Sequence, residues 1–439
     1  MTLACGQQVT LVIERPAFGG RMVARAADGR IIFVRGGAPG DEVRVTLTRI
    51  KKQFAEGRVD QIISSGPGRV DAFCAHAEQC GGCPWQTTTG QLQHAALQAH
   101  TVRWAHRAEP SAQIAPIWSH ETDRGWRSTA RLQWHDGRVG FFQSGSNAVV
   151  PVASCPVLTP EVDALRSDVA TLLSRQLKGR GVIRLTVAPG EVSGTVAIQP
   201  GEGAPRDLST ALDQLVARST RCHGGVILGR RGRVIHETGR PENLLGTLGI
   251  PHPAGAFVQA HRPGNDALVT HVMAHVGAAA EPGASVVELF AGSGNFTVPL
   301  AQAGYQVHAV EHDGAAAQAL RATLEARDEL AASVLHLGNA DQGPADLGRL
   351  SPALAQALNE APVVILDPPR AGARTFASAL HTTGAERVIY VACDPATLAR
   401  DVGEMKAHWH LAHVQAFDLF PHTGHVETVA VLHRRRRQA

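Results

Sequence analysis

Apolar and polar positions alternate with a period of two over residues 5–65, which is typical of half-buried strands. Glycine and proline separate the alternating segments, as expected for tight turns. Five short strands in so few residues predict a small closed β-barrel of the OB type, which often binds RNA and also serves as a plain spacer. We assign residues 1–67 to it. The predicted strands lie in QVTLVIE, GRMVARA, RIIFVRG, DEVRVTLTRI and AEGRVDQII.

A different pattern begins near residue 284, where short apolar runs alternate with helix-like segments. This alternation predicts a doubly wound α/β fold with a mostly parallel sheet. The last two runs are joined only by FPHTGH, which is too short for a crossover helix, so they should pair antiparallel. That arrangement favours an S-adenosylmethionine-dependent methyltransferase over an NAD-binding domain, and we assign it residues 263–439. The predicted strands are 286–290, 307–311, 333–337, 363–367, 387–392, 410–418 and 426–433.

The middle of the chain, residues 68–262, mixes the two patterns and predicts an α+β domain. Two strand hairpins are visible, and neither carries a recognisable catalytic motif. Gly264 and Asn265 are expected to begin the helix that leads into the C-terminal domain. The protein is therefore predicted to be multi-domain. The helix-like segments of this stretch are 92–106, about 160–178 and RDLSTALDQLVAR, and the helix-like segment 266–277 follows it.

The strongest local signal for a ligand is VVELFAGSGNF, residues 286–296, which reads as a strand, a tight turn and a helix. Gly292 and Gly294 let the backbone approach a ligand and adopt dihedral angles that a Cβ would resist. The next predicted strand ends in Glu311, 19 positions after Gly292. Nucleotide-binding folds place the carboxylate that binds a ribose hydroxyl at about this distance. A ligand-free α/β turn is the alternative interpretation.

Composition adds limits on location and partners. The chain is 44% hydrophobic and 18% charged, as is ordinary for a globular protein. The segment MTLACGQQVTLVIE is not a signal peptide, and no apolar run approaches the ~18 residues of a membrane span. We therefore expect a cytoplasmic protein with reduced cysteines and no membrane partner. The net charge of +3 neither requires nor excludes nucleic acid, although basic clusters occur at 49–52 and 434–437.

Four of the seven cysteines follow a metal-ligand pattern. Cys74, Cys80 and Cys83 are spaced C-x5-C-x2-C, and Cys155 is a distant fourth that is also followed by proline. Four thiolates saturate either a tetrahedral zinc or a four-iron cluster. Zinc sites more often use two C-x2-C pairs, so the spacing favours a [4Fe-4S] cluster over zinc and over no metal, with His76 as a bystander. Four ligands leave no iron position open, so the cluster would be structural or redox-sensing.

Acidic and thiol groups lie at the ends of three of these predicted strands, at the edge where an open α/β sheet binds its ligands. Asp367 begins DPPRAGA, Cys393 begins CDPATLAR, and Glu427 follows FPHTGHV. Amino-directed nucleic-acid methyltransferases usually carry an aromatic residue after two prolines. Arg370 occupies that position here, which favours methylation of carbon over nitrogen.

A cysteine and a carboxylate are what methylation at C5 of a pyrimidine requires. C5 is not nucleophilic, but a thiolate that adds to C6 makes C5 enolate-like. A base must then remove the C5 proton so that the thiol can leave. Cys393 and Glu427 are the available pair. A cysteine at a strand end is otherwise most often a packed small hydrophobe, and a glutamate there is often a surface residue.

Taken in order, the motifs ELFAGSGNF, VEH, LDPPRAGA, CDPATLARD and FPHTGHVE resemble the RNA 5-methyluridine (uracil-C5) methyltransferase family. The barrel resembles its TRAM domain, and the four cysteines resemble the iron–sulfur ligands of its ribosomal-RNA branch. The resemblance covers essentially the whole chain. It implies Cys393 as nucleophile, Glu427 as proton acceptor and S-adenosylmethionine as cofactor, with Asp341 competing with Asn339 for one cofactor contact. The implied cofactor contacts are Gln259, Phe290, Asn295, Glu311, Asn339 and Asp367.

Two positions depart from the family's pattern with an expected effect, and a third, Ala291 in place of a commoner cysteine, is expected to have none. Asp394 stands where asparagine is usual, which adds a charge beside the thiol and should raise the pKa of Cys393. His261 stands where asparagine is usual after FVQ, which leaves the role of the Gln259 segment open.

The implied substrate is a uridine in an RNA loop, or one flipped out of a helix, with the barrel and central domain holding the surrounding RNA. Ribosomal RNA, in particular 23S, is favoured over transfer RNA, because the transfer-RNA branch generally lacks the four-cysteine pattern. Two further alternatives are a noncatalytic RNA-binding protein that keeps the fold, and methylation of another atom such as a nitrogen. We expect a monomer.

Overall fold

The computed structural model describes residues 3–245, 249–312 and 314–435. Residues 436 and 437 of the C-terminal basic cluster lie outside these ranges. Within them, no helix combines the length and the apolar character that crossing a membrane needs.

The N-terminal segment forms a closed five-stranded barrel, as predicted. Its strands are β1 Gln8–Pro16, β2 Met22–Arg25, β3 Ile31–Arg35, β4 Glu42–Ile50 and β5 Phe54–Ser64. They close in the order β1-β2-β3-β5-β4. The sequence alternation is an alternation of burial, since Val43, Val45 and Leu47 fill the interior while Arg44 faces solvent. Gly57 permits the close strand contact, because a Cβ there would lie 2.4 Å from the side chain of Val45.

A helix and a short strand follow the barrel, α1 Gly90–Ala108 and β6 Gln113–Ile114. Both belong to the predicted central domain, yet they pack on the C-terminal sheet. Trp104 and Ala112 lie in the same core cluster as Leu411, and β6 pairs with the strand that contains Leu411. The sequence did not predict β6. The domain boundaries after residues 67 and 262 stay predictions.

The central α+β region is a seven-stranded sheet with two helices whose apolar residues share one core with it. The first of these helices, Pro160–Leu173, ends five residues before the predicted end at 178, and the chain turns again at Gly179 (φ 62°). The sheet order is β13-β12-β11-β10-β7-β8-β9. The elements are β7 Thr129–His135, β8 Arg138–Phe142, β9 Val149–Val150, α2 Pro160–Leu173, β10 Arg180–Val187, β11 Gly194–Pro200, α3 Ser209–Arg218, β12 Cys222–Leu228 and β13 Val234–Gly239.

The remaining elements are a hairpin and the doubly wound C-terminal region. The hairpin is β14 Glu242–Leu245 and β15 Ile250–Pro253. The helices that follow are α4 Arg262–Gly277, α5 Thr297–Gln302, α6 Gly314–Glu325, α7 Pro344–Gly348, α8 Pro352–Glu360, α9 Arg374–Ala379 and α10 Pro395–Met405. The strands are β16 Ser285–Leu289, β17 Gln306–Glu311, β18 Val334–Leu337, β19 Val363–Leu366, β20 Arg387–Ala392, β21 Trp409–Phe417 and β22 Glu427–Arg434.

The C-terminal sheet has the order β18-β17-β16-β19-β20-β22-β21-β6. Strands β16 to β20 are parallel, and β22 is antiparallel to both β20 and β21, as predicted. Successive side chains of β19 enter different cores, since Val363 and Ile365 pack on one face and Val364 and Leu366 on the other. Because β22 lies between β20 and β21, its first residue meets the carboxyl ends of the parallel strands.

Helix α4 begins at Arg262, so the prediction that Gly264 and Asn265 begin it is wrong. His261 caps the helix, because its Nδ1 accepts a hydrogen bond from the backbone N of Gly264 at 3.0 Å. Histidine is not a common capping residue. Burial lowers the pKa of His261 to about 4, with His120 adding to the effect, so the ring is neutral and able to accept.

Candidate active site

One edge of the C-terminal sheet collects six of the predicted site residues. The edge consists of the carboxyl ends of five parallel strands and the amino end of antiparallel β22. Open α/β sheets bind their ligands at this edge. In the order β18, β17, β16, β19, β20 and β22, the residues there are Asn339, Glu311, Phe290, Asp367, Cys393 and Glu427.

The glycine turn has the backbone that its sequence predicted. Gly292 and Gly294 have φ angles of 58° and 99°, and Phe290 is also left-handed at 65°. A left-handed phenylalanine is strained, and such strain occurs mainly at functional sites. The backbone N of Gly292 donates to Glu311 Oε2 at 2.7 Å, and that of His312 donates to Oε1 at 2.6 Å. These bonds hold the Glu311 carboxylate beside the turn.

Asn295 follows the glycine turn and is fixed by helix α4. Its side-chain amide exchanges two hydrogen bonds with that of Asn265, at 2.9 and 3.1 Å. The helix therefore contributes to the site through a residue that the sequence had suggested only as a helix start.

The structure separates Asn339 from its sequence competitor Asp341. Asp341 Oδ1 accepts from the backbone N of Thr375 at 3.2 Å, which ties the loop after β18 to helix α9. Asn339 is exposed at the strand end, and its Oδ1 accepts from the backbone N of Asp341 at 3.1 Å. Asp341 thus has a structural partner, and this favours Asn339 as the residue available to a ligand.

Cys393 and Glu427 lie at adjacent strand ends. The last residue pair between β20 and β22 is Ala392 with Thr428, so Cys393 and Glu427 are the next residues toward the open edge. Opposed residues of antiparallel strands have Cα atoms about 4.5–5.5 Å apart. Burial raises the pKa of Cys393 to about 11; the charge of Glu427 adds to this, Arg370 opposes it, and Asp367 adds further.

Glu427 is a buried carboxyl that shares its surroundings with Asp367. It is 3% exposed, and burial raises its pKa to about 8, with the charge of Asp367 adding to the shift. The side chain of Gln259 and the charge of Arg370 oppose the rise. Gln259 therefore lies close to the carboxyl, and its Oε1 is buried without a hydrogen-bond partner. Asp367 keeps some exposure, and burial raises its pKa to about 7.

Sequence reasoning missed a further buried acid, Glu288, in the strand that leads to the glycine turn. It is 1% exposed, and its Oε2 accepts from Thr297 Oγ1 at 2.5 Å while Oε1 has no partner. Burial raises its pKa to about 8, and the charges of Asp367 and Glu311 add to the shift. The signal was a glutamate inside the apolar run VVELF.

The loop that carries Arg370 is fixed by helix α10. Thr397 Oγ1 donates to the carbonyl of Arg370 at 3.1 Å. Asp401, which is fully buried, accepts from the backbone N of Ala373 at 2.9 Å. Gly372 has a φ of 80°, and a Cβ there would lie 2.4 Å from an Asp401 oxygen. The polar residues of CDPATLARD therefore position the loop after Asp367.

The loop at residues 418–426, which precedes Glu427, is held by a distant segment of the chain. His422 has a left-handed φ of 67°. Its carbonyl accepts from the backbone N of Trp85 at 3.0 Å, and its N donates to Gln93 Oε1 at 3.0 Å. The ring of Phe73 lies 4.7 Å from the His422 ring, centroid to centroid. The cysteine-rich segment thus supports the loop that leads to Glu427.

The four predicted metal ligands, Cys74, Cys80, Cys83 and Cys155, line one cavity. All four lie in the described part of the chain. Four thiolates can saturate either a tetrahedral zinc or a four-iron cluster.

The electrostatics of this cavity suit the binding of a cation. Burial raises the pKa of Cys83 to about 12, and the neighbouring thiols Cys155, Cys80 and Cys74 add to it while Arg127 opposes it. His76 also lines the cavity, but its Nε2 accepts from the backbone N of Ala153 at 3.2 Å.

Comparison with known proteins identifies the family. A model described as tRNA (Uracil-5-)-methyltransferase matches residues 252–435, and a TRAM domain model matches residues 5–59. The 23S rRNA (uracil(1939)-C(5))-methyltransferase RlmD of Aeromonas salmonicida is 31% identical over 417 residues, 92% of this chain and 91% of that protein. The chain belongs to the RNA uracil-C5 methyltransferase family. The RlmD protein of Methylococcus capsulatus is 32% identical over 442 aligned positions, 96% of each chain.

A solved structure of the same enzyme class shares the fold. It is the tRNA (uracil-54, C5)-methyltransferase of Pyrococcus abyssi in complex with S-adenosyl-L-homocysteine. The TM-score is 0.71 at 20% identity, over 97% of this chain and 100% of that one. The predicted TRAM barrel and the S-adenosylmethionine-dependent methyltransferase fold are confirmed.

The two departures from the uracil-C5 methyltransferase pattern have structural explanations. His261 caps α4 through a neutral ring nitrogen, a role that asparagine also fills. Asp394 caps α10, and its Oδ1 accepts from the backbone N of Ala396 at 2.9 Å and of Thr397 at 3.0 Å. The pKa of Cys393 is raised as predicted, but the main causes are burial and other carboxylates; attributing the rise to Asp394 was wrong.

Proposed function

We propose that this uracil-C5 methyltransferase modifies a uridine of 23S ribosomal RNA through a covalent bond between Cys393 and C6 of the base. The RNA is the one named for the relatives from Aeromonas salmonicida and Methylococcus capsulatus, as is the position, uracil 1939. The observation that supports the chemistry is the neighbouring position of Cys393 and Glu427 at the edge that carries the glycine turn.

S-adenosylmethionine supplies the methyl group, as part of a sulfonium cation, when it is bound. The donors and acceptors at the sheet edge fit such a ligand. Glu311 is held where nucleotide-binding folds bind ribose hydroxyls, and the space around a Cβ position at Gly292 is empty to 4 Å. Gln259 offers an unpartnered oxygen. The proposed contacts are Gln259, Phe290, Asn295, Glu311, Asn339 and Asp367.

The first covalent step belongs to Cys393. The thiol loses its proton to solvent, and the thiolate forms a bond to C6 while the C5–C6 π electrons move toward C5 and the C4 carbonyl. C5 thereby becomes able to accept a methyl group. Arg370 assists, since its positive charge lowers the pKa of the thiol against burial and the nearby carboxylates.

The second step belongs to Glu427. Its carboxylate accepts the C5 proton, the electrons of the C5–H bond re-form the C5–C6 double bond, and the thiolate leaves C6. A pKa near 8 makes the carboxylate a stronger base than an exposed glutamate, and the side chain of Gln259 lies beside it. Gln259 therefore has a positioning role in addition to its proposed cofactor contact.

We further propose that Cys74, Cys80, Cys83 and Cys155 hold a [4Fe-4S] cluster with a structural role. Three clustered cysteines and a distant fourth, with proline directly after Cys83 and Cys155, support a four-iron cluster over zinc. The segment that carries three of them contacts the loop at residues 418–426 through Trp85. A cluster would therefore stabilise the segment that supports Glu427. The cytoplasmic location and the monomeric state remain predictions.

The test is a single-turnover reaction of the anaerobically purified protein with S-adenosylmethionine and RNA that contains 5-fluorouridine. Fluorine cannot be removed as a proton, so the enzyme should stay covalently attached to the RNA, and peptide mass spectrometry should locate the bond at Cys393. Cys5→Ala, at an exposed thiol remote from the site, is the matched control and should still form the adduct.

The same assay separates the alternatives. Absence of an adduct with the wild type, or an undiminished one with Cys393→Ala, would reject the covalent mechanism and favour methylation of another atom or RNA binding alone. A ribosomal-RNA fragment around the target and a transfer RNA, both fluorinated, distinguish the two substrates. Adduct formation with only the transfer RNA would reject the 23S assignment.

A further inference from the structure

Three histidines outside the candidate active site form a cluster between helix α4 and strand β21. His271 and His275 are four residues apart on α4 and therefore share one helix face. His413 projects toward them from β21, and one ligand atom of each histidine lies within 4.8 Å of those of the other two. The ring centroids are 4.6 Å apart for His271 and His275, 5.1 Å for His275 and His413, and 5.5 Å for His271 and His413.

A β-bulge directs His413 into this cluster. The pairing of β21 with β22 shifts between Leu411 and His413, so Ala412 is an extra residue. Leu411 and Val414 consequently share one core cluster although they are three residues apart, which a regular strand does not allow. His413 lies on the opposite face with Phe417, which packs in the core that α4 covers. Bulges commonly re-aim a side chain in this way.

Two ring nitrogens of the cluster lack hydrogen-bond partners. The Nε2 atoms of His271 and His413 are buried, and no acceptor or donor is within bonding distance of either. Most buried polar atoms in proteins are satisfied, and leaving one unsatisfied destabilises the fold. Three converging imidazoles with orphaned nitrogens are the donor set of a metal site.

We propose that His271, His275 and His413 bind a divalent transition-metal ion of borderline softness, with zinc as the probe. Imidazole suits zinc, copper and nickel, and three histidines with one open position for water form a common zinc arrangement. Zinc–nitrogen bonds are about 2.0–2.1 Å long, so the rings must close inward on binding. All three residues are partly exposed, although the Nε2 atoms of His271 and His413 are buried, so the rings must move slightly to admit an ion.

Basic groups beside the cluster set a limit on its affinity. Arg387 donates to the backbone carbonyl of His275 at 2.6 Å, and His433 is also close to that ring. A guanidinium opposes a dication, so the site should bind more weakly than one with a carboxylate ligand. The ion would join α4, whose Asn265 holds Asn295, to β21, the strand before the loop that leads to Glu427.

The test counts zinc ions bound by the anaerobically purified full chain, by competition with a chromophoric chelator. Wild type should bind one ion more than His271→Gln/His275→Gln/His413→Gln. The control His381→Gln/His408→Gln removes another stacked histidine pair, with centroids 4.2 Å apart, and should bind as wild type does. Cobalt substitution should give d–d absorption without the thiolate-to-cobalt charge-transfer band that the cysteine cavity would produce.

Two further measurements use the wild type and do not depend on how the variants fold. Zinc should raise the midpoint of thermal unfolding by on the order of 3–5 °C. It should also protect the three histidines, but not His381, from diethyl pyrocarbonate, as read by mass spectrometry. Equal zinc counts for wild type and triple variant, or unchanged carbethoxylation of the three rings, would overturn the site. None of these outcomes depends on methyl transfer.

Discussion

The protein holds two kinds of thiol site that share one starting condition and differ in their neighbours. Burial raises the pKa of Cys393 and of Cys83 alike. The neighbours of Cys393 are the carboxyls Glu427 and Asp367, which can exchange protons. The neighbours of Cys83 are Arg127 and the thiols of other cysteines, and these thiols together offer a set of soft metal ligands. The residues around a cysteine, more than its burial, therefore distinguish these two sites.

The first test removes the proton acceptor of the Cys393 site and keeps the thiol. Glu427→Gln retains the size of the side chain but not its basicity, so C6 attack should proceed while release of the enzyme fails. We expect turnover to fall on the order of 10³-fold and a covalent adduct to accumulate on ordinary uridine RNA. Denaturing gels detect the adduct. If the Glu427→Gln variant formed no adduct and turned over normally, Glu427 would not be the proton acceptor.

The second test addresses the other thiol site. Cys155→Ser removes one cluster ligand, so iron should fall well below the about four atoms per chain expected of the anaerobic wild type. The loop at residues 418–426 should lose support, with turnover reduced on the order of 10-fold. Iron analysis and methyl transfer measure the two effects. Stoichiometric zinc without iron in the wild type would contradict the cluster, and Cys222→Ser is a control at a buried cysteine outside the cavity.

The third test measures how a buried carboxyl, Glu288, changes the pH dependence of stability. Glu288 has a pKa of about 8 in the folded protein and 4.5 as an ordinary glutamate, so the folded state binds more protons between these values. Stability from this group is therefore complete below about pH 4.5 and is lost as the pH rises through 8. The free energy of unfolding of the wild type should fall from pH 5 to pH 8. In Glu288→Gln this fall should be smaller, by on the order of 2 kcal/mol at pH 8, as measured by denaturant unfolding.

The matched control for that measurement is Glu329→Gln, which changes an exposed glutamate. Its unfolding midpoint should follow the wild type at every pH. A Glu288→Gln variant that also follows the wild type would mean that the buried carboxyls are not coupled to folding as their surroundings indicate.

The last test concerns the charge of Arg370. Its charge lowers the pKa of both Cys393 and Glu427. Arg370→Gln should therefore shift the rise of adduct formation with pH toward higher pH, and lower the rate near neutrality on the order of 10-fold. Rapid-quench measurement of the adduct across pH provides the profile. An unchanged profile with weaker RNA binding would assign Arg370 to the RNA instead.

The sequence predicted the strand-end residues well because their positions follow from local periodicity and topology. Once β16 to β20 are parallel and β22 is antiparallel, Glu311, Asp367, Cys393 and Glu427 must share an edge. The capping role of His261 was not predictable from the usual preferences, because it depends on a ring that burial keeps neutral.

Contacts between distant segments were outside the reach of local pattern. The hold of Trp85 and Gln93 on His422 joins residues more than 300 positions apart, and the two-residue strand β6 has no periodicity to detect. Gln259 was predicted to contact the cofactor, and its position beside Glu427 follows only when two distant segments are brought together.

The insertion of β22 between β20 and β21 bears on synthesis of the chain. The strand that completes the sheet interior is made after every other strand. A nascent chain that has not yet reached residue 427 therefore has an open slot with two unpaired edges, which favours wrong pairing or capture by a chaperone. Cys393 would emerge from the ribosome before Glu427 does. The ability to methylate RNA should therefore appear abruptly, only when the final strand pairs between its two neighbours.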